Sequence, residues 1–281
     1  SVGEMNNLVE AVKTNFADDA GWIALVEEKL TKREANQEKY AVFQKREKDA
    51  DSTIKVLRLA DAVMAELDDK FYAQKLLIDA QTRLNDEGWD FSKARKLVAG
   101  VSAHLGDTDW ATKLLKDAAQ RMRGFTNLTT VAESAAELLP DKETANAFVT
   151  ELLADWEQKL DAGAAQSAYD YSKLASVRGR LLGDKEAAAA SLDKAAAKGG
   201  NHFTFAELAR VAQELGLDDK AAGLLDQAKT ACNSAAQAQQ LVGRLLQSGF
   251  AKERVKEIYT GLKNSMATGA DQIRWADAVA G

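Results

Sequence analysis

Reactive side chains are few and scattered in this 281-residue chain. It has two histidines, His104 and His202, and one cysteine, Cys232. A transition-metal site needs several such ligands at short spacing. Neither histidine has a second histidine or a cysteine nearby in sequence, so no metal site is expected. Cys232 has no histidine at a spacing specific to a nucleophile, and it can form no intrachain disulfide. Acidic pairs occur at Asp18-Asp19, Asp68-Asp69 and Asp218-Asp219. They share one position, a turn that enters a helix, where an aspartate accepts the free backbone N–H groups and complements the helix dipole. No calcium loop with alternating oxygens is present, and no glycine-rich phosphate loop follows a strand. The residues therefore predict a non-catalytic chain without cofactor or metal.

Bulk properties narrow the class of partner. The net charge is −6, with both signs interspersed, which argues against nucleic-acid binding, since that needs a clustered basic face. No apolar run is long enough to span a bilayer. The single cysteine leaves the compartment open. No signal peptide is visible at Ser1, so the expectation is a cytoplasmic protein, or a periplasmic one from which a leader has been removed.

An apolar quartet at spacing i, i+3, i+4, i+7 recurs along the chain. Its members are Met5-Leu8-Val9-Val12, Val56-Leu59-Ala60-Val63, Ala94-Leu97-Val98-Val101, Leu128-Val131-Ala132-Ala135, Tyr171-Leu174-Ala175-Arg178, Phe205-Leu208-Ala209-Ala212, Ala238-Leu241-Val242-Leu245 and Gln272-Trp275-Ala276-Val279. Their starts lie 51, 38, 34, 43, 34, 33 and 34 residues apart. The spacing is one face of a helix, here called helix A. After a polar turn comes a second stripe, helix B, as in Ala73-Leu77-Ala80, Ala111-Leu115-Ala118, Ala188-Leu192-Ala195 and Ala221-Leu225-Ala228. A period of this size marks stacked helical hairpins, because one hairpin cannot bury its apolar face alone. Proline occurs once, at Pro140, so the turns fall to Gly, Asn and Asp, as in Leu105-Gly106-Asp107 and Leu182-Gly183-Asp184.

These repeats predict an all-α, right-handed superhelical solenoid of about seven antiparallel helical hairpins plus a terminal helix. Residues 1–52 read as an N-terminal hairpin with an extended charged helix, and residues 53–281 as one continuous repeat array. The long first interval, from Glu27 to Asp51, is rich in Lys, Arg and Glu. It reads as an overlong B helix or one with a separate second segment, either solvated and held by i,i+4 ion pairs or offering Tyr40 and Phe43 to a partner. The 43-residue interval fits a longer B helix through Trp156 and Leu160 that ends at Asp161-Ala162-Gly163. The last quartet reads as a helix that covers the end of the stack.

In order and spacing, Phe205, Leu208, Ala209, Ala212, Ala221, Leu225 and Ala228 resemble the tetratricopeptide repeat, and the repeat from Tyr171 does so with a turn that differs by one residue. The aromatic of that family's helix A is replaced by Val63, Val101, Ala135, Arg178, Ala212 and Leu245, and its closing proline is absent. The chain thus resembles a TPR-like array, and HEAT-like helix pairs share much of the pattern. The resemblance implies a non-catalytic scaffold that binds a protein or peptide in a groove lined by A helices. Lys173, Arg178, Arg180, Arg210 and Arg244 recur on those helices, and Tyr169, Tyr171, His202 and Phe203 are expected along one edge of adjacent repeats. By resemblance they are candidates for an acidic peptide or a C-terminal carboxylate. A second reading is a carrier of a lipid or sterol inside the superhelix, as part of a bacterial transport system, with the alanines leaving room and inner aromatics touching the ligand.

Overall fold

The computed structural model describes residues 2–15, 19–122, 125–163 and 167–265. They form fifteen α-helices and, among the described residues, no strand. The chain divides into two compact units, Ser1–Ala118 and Ala119–Gly281. In the first, α1 (Val2–Asn15) pairs with α2 (Ala20–Ala35), and α3 (Gln37–Lys48) leads into the pair α4 (Thr53–Leu67) and α5 (Lys70–Asp86). Next come α6 (Phe91–Gly100), prolonged by a π-helical turn over Val101–Leu105, and α7 (Thr108–Arg121). The second unit holds the pairs α8 (Phe125–Leu138) with α9 (Lys142–Asp161), α10 (Ala168–Val177) with α11 (Lys185–Ala197), α12 (His202–Glu214) with α13 (Asp218–Thr230), and α14 (Ala235–Gln247) with α15 (Lys252–Ser265). A second π-helical turn, Arg178–Leu182, prolongs α10.

Six A/B pairs thus stand in contact where the quartets place them, and α6 and α7 follow one another at the remaining described quartet. Links as short as Asp68-Asp69 between α4 and α5 make the partners antiparallel. Within the second unit α8 touches α10, α10 touches α12, and α12 touches α14, so each A helix lies on the next; α4 and α6 repeat this in the first unit. The quartets are the contact surfaces. Leu97, Leu174, Leu208 and Leu241 have almost no solvent exposure, and Ala60, Ala132, Ala175 and Ala209 beside such residues have none. The leucine fills the space between helices, while the small side chain lets the neighbouring backbone come close. The quartet Gln272-Trp275-Ala276-Val279 lies outside the described residues.

Aspartates close the turns. Asp19 accepts the N–H of Trp22, Asp69 those of Phe71 and Tyr72, Asp107 that of Trp110, Asp141 that of Thr144, and Asp184 that of Ala187. The recurrence of Trp22, Tyr72 and Trp110 at the start of B helices follows from this: each is the third helical residue, whose amide the cap takes. Asp218 and Asp219 depart from the capping expectation. They lie inside the first turn of α13, where the residue before the helix, Leu217, makes no side-chain cap, and their charge favours the dipole instead. Gly106 and Gly183 end the two π-helical turns with φ of 67° and 69°, a left-handed geometry that costs a residue with a Cβ about 1–2 kcal/mol.

The charged stretch after α2 is not a solvated extension. The helix breaks at Asn36 and restarts as α3, which packs on α4. Phe43 is 1% exposed and Tyr40 is buried, so neither is displayed for a partner. The Tyr40 hydroxyl donates to Asp69 Oδ2 at 2.6 Å, its ring stacks on Tyr72 at 6.2 Å, and the Tyr72 hydroxyl donates to Glu47 at 2.8 Å. The periodic apolar signal here is thin because two aromatics and a polar network replace the aliphatic stripe. In denaturant unfolding, Tyr40→Phe is expected to cost about 1–3 kcal/mol, because Asp69 loses a buried donor. Val42→Ala, at an exposed position of the same helix, is expected to stay within about 0.5 kcal/mol.

Candidate functional site

The starts of α10 and α12 flank an open groove of about 430 Å³ that lies wholly within the second unit. Its walls include Tyr169 and Phe203, each on the first turn of its helix, with Lys198, Thr204 and Glu207 between them. Both helix starts are fixed. At α10, Ser167 and Asp170 form a reciprocal capping box, the hydroxyl and backbone N–H of Ser167 both donating to Asp170 Oδ2. At α12, Asn201 Oδ1 accepts the N–H groups of Phe203 and Thr204 at 3.0 and 3.1 Å. Caps that satisfy the orphan amides hold the first turn, and hence the groove walls, in place.

Of the residues singled out in the sequence, Tyr169 and Phe203 are the two that line the groove, and both are large and exposed, at 49% and 40%. Lys173 stands one turn below Tyr169, its ammonium 5.0 Å from the centre of that ring, which is cation–π range. Tyr171 is buried and faces the other way: its hydroxyl donates to Asp161 Oδ1 at 2.7 Å, while Lys198 stands 5.6 Å from its ring. Burial first, and Asp161 second, push the Tyr171 phenol above its ordinary pKa. His202 is also buried, with its ring 4.2 Å from that of Phe203. Arg180 is exposed and makes no ion pair among the described residues.

The remaining cations are engaged inside the protein. Arg178 reaches Glu157 on α9 through both terminal nitrogens, at 3.3 and 2.5 Å, and donates to Ser191 Oγ on α11 at 2.7 Å. Lys194 adds bonds to Glu157 at 3.0 Å and to Asp161 at 2.7 Å. Two carboxylates of one B helix are thus tied to the next B helix, with Arg178 and Tyr171 of the intervening A helix between them. Arg210 pairs with Glu207 and Glu214, and Arg244 on α14 reaches Glu207 at 3.3 Å. Glu207 therefore joins α12 to α14 at the edge of the groove. Arg210 is the main cause that holds its carboxyl below the ordinary range.

Sequence reasoning missed Lys198, Thr204 and Glu207. Glu207 carried a readable signal, being three residues before Arg210 on one helix face. Lys198 and Thr204 are brought to the groove by the tight Gly199-Gly200 turn, which no periodicity marks. The other chemistry-bearing groups lie elsewhere. Burial pushes the Cys232 thiol up to about 11, so it is a thiol rather than a nucleophilic thiolate at neutral pH. His104 Nε2 lies 2.7 Å from Asp61 Oδ1, which links the first π-helical turn to α4. Among the described residues, no group of three or more His, Cys, Asp or Glu side chains is placed to hold a metal ion, and no helix is long and apolar enough to cross a membrane.

Comparison with protein-family models, with curated proteins and with solved structures finds no match.

The Arg178 network has a stability signature. Arg178→Met leaves Glu157, in a half-buried site, with Lys194 as its remaining cation and Ser191 without its donor, at an expected cost of about 1–3 kcal/mol, whereas Arg180→Met is expected to be neutral; denaturant midpoints check both. Glu157 has its pKa lowered, chiefly by Arg178. Its contribution is therefore present above the unfolded glutamate value of about 4.3 and is lost as pH falls below it. Glu157→Gln is expected to flatten that acid limb in a pH series of thermal melts.

Proposed function

We propose that the chain is a non-catalytic helical-repeat scaffold that grips a short protein segment in the groove between the starts of α10 and α12. One observation carries this reading: two large aromatic side chains, Tyr169 and Phe203, are held exposed on capped helix starts on either side of an open groove. Exposed aromatics on a rigid frame lose little entropy on binding and are common anchors of peptide recognition. The ammonium of Lys173 stands over the Tyr169 ring, and Lys198 lines the groove with its ammonium toward the buried Tyr171. The arginines matter less than the sequence implied, because Arg178, Arg210 and Arg244 already have carboxylate partners. The segment that fits has an apolar or aromatic side chain for the Tyr169–Phe203 wall and a carboxylate for the lysines. Stacked helix pairs are suited to such a role because their edges repeat, which is an argument from architecture and not from chemistry.

The carrier reading is less well supported by the packing. The alanines that were to leave room, among them Ala188, Ala195, Ala209 and Ala212, have no exposed surface and act as close helix contacts.

The test is a selection of displayed peptides on the full chain, followed by anisotropy titration of the strongest binders. Tyr169→Ala together with Phe203→Ala is expected to weaken them by roughly 10- to 1,000-fold, the range for truncated anchor residues, with helicity by circular dichroism unchanged. Peptides that bind the double variant as well as the parent would place recognition elsewhere. A lipid retained in native mass spectrometry would favour the carrier.

A further inference from the structure

His202 is the first residue of α12 and is 4% exposed. Neither ring nitrogen has a hydrogen-bond partner. A buried imidazole in that state forgoes two hydrogen bonds that water would supply. Its site is also hostile to charge, because the ring sits at the positive end of a 13-residue helix, where the macrodipole opposes a cation. We propose that His202 is an acid-sensitive latch: uptake of one proton from water by its ring releases the first turn of α12 and with it the Phe203 wall of the groove.

The surroundings offer that charge no ionic partner. The helices packed on α12 are α10, α11, α13 and α14. From α14 the uncharged Gln240 amide faces the ring and favours its protonated form, a smaller influence than burial, without closing a hydrogen bond of ordinary geometry. On α10, Asp170 is held in the Ser167 capping box and Lys173 lies over Tyr169. At the end of α11, Lys198 lies over Tyr171, and on α12 itself Glu207 is shared by Arg210 and Arg244. The acids at the start of α13, Asp218 and Asp219, lie beyond the opposite end of α12. Burial is the main influence on the ring, and no charged side chain acts on it. An imidazolium here would be an unpaired buried cation, a state that proteins relieve by opening.

The sign follows. Burial holds the His202 pKa below the ordinary imidazole value, so the opened state binds the proton more tightly than the closed one. The closed turn is fully stable above about pH 6.5 and loses stability as pH falls below it, by about tenfold in the closing equilibrium for each unit of depression. The turn has its own release point, because the four-residue link Lys198-Gly199-Gly200-Asn201, with two adjacent glycines, separates it from the end of α11, and its amides rest on Asn201. The latch operates whether or not the groove is occupied.

The experiment is amide hydrogen exchange by NMR on the full chain at pH 7.5 and 5.0, expressed as protection factors so that intrinsic chemistry cancels. The expected result is loss of protection at Phe203, Thr204 and Phe205 at the lower pH, with Leu224 and Leu225 of α13 unchanged, and no such loss in His202→Phe. Equal protection at both pH values in the parent, or an equal loss in His202→Phe, would overturn the proposal. Should that variant fail to fold, the parent still decides. The His202 ring titration and the loss of protection must share a midpoint, and a ring that titrates while those amides stay protected sinks the latch.

Discussion

One packing constraint governs the second unit: the leucine and adjacent alanine on α10 and on α12 must be covered by the neighbouring helices. Leu174 with Ala175, and Leu208 with Ala209, are sealed from solvent, and larger residues at the alanine positions would force the backbones apart. This close approach sets the distance between α10 and α12, and so the width of the groove at their starts. The caps then set the direction in which Tyr169 and Phe203 emerge. The site is therefore a by-product of repeat packing, finished by two side-chain caps of different chemistry, Ser167 and Asn201.

Charged groups play a second, subordinate part. Aliphatic contacts join A helix to A helix, while the B helices of the second unit are joined by polar bridges. Lys194 connects α11 to two acids of α9, and Lys220 of α13 reaches Asp193 of α11 at 2.5 Å. The exposed bridges contribute little by themselves. Arg178 differs because it is only partly exposed, at a quartet position where an aliphatic residue would otherwise sit. Its guanidinium needs Glu157 and Ser191 to be tolerable there. An arginine at a core-facing position of an amphipathic pattern is thus better read as a sign of a buried carboxylate than of a ligand.

That distinction shows what could be read from the chain and what could not. The helix pairs, their order and their B-helix stripes follow from 3.6-residue periodicity, and the long α9, with its end at Asp161-Ala162-Gly163, follows from the interval length. The aspartate caps were legible at Asp19 and Asp69 because side chain and amide are three residues apart or fewer. The burial of Tyr40 was not legible because its partners, Asp69 and Tyr72, are about thirty residues away in the chain. The partners of Arg178 and Arg244 were hidden for a like reason, because Glu157 and Glu207 reach them only after the helices stack, whereas Glu207 stands three residues before Arg210 on the same helix. Tyr169 and Phe203 could be placed near one another from the repeat phase alone, since both occupy the second position of successive A helices.

Contacts in each unit run from one hairpin to its immediate neighbours, and this bears on how the chain comes apart. A globule with one centre loses everything when that centre fails. Here the cooperative unit is a hairpin and its interface, so damage is expected to remain local and disorder to spread by fraying inward from an end. A protein built this way can lose or gain a single hairpin without redesign of the others, which makes its length, rather than its core, the quantity most open to change.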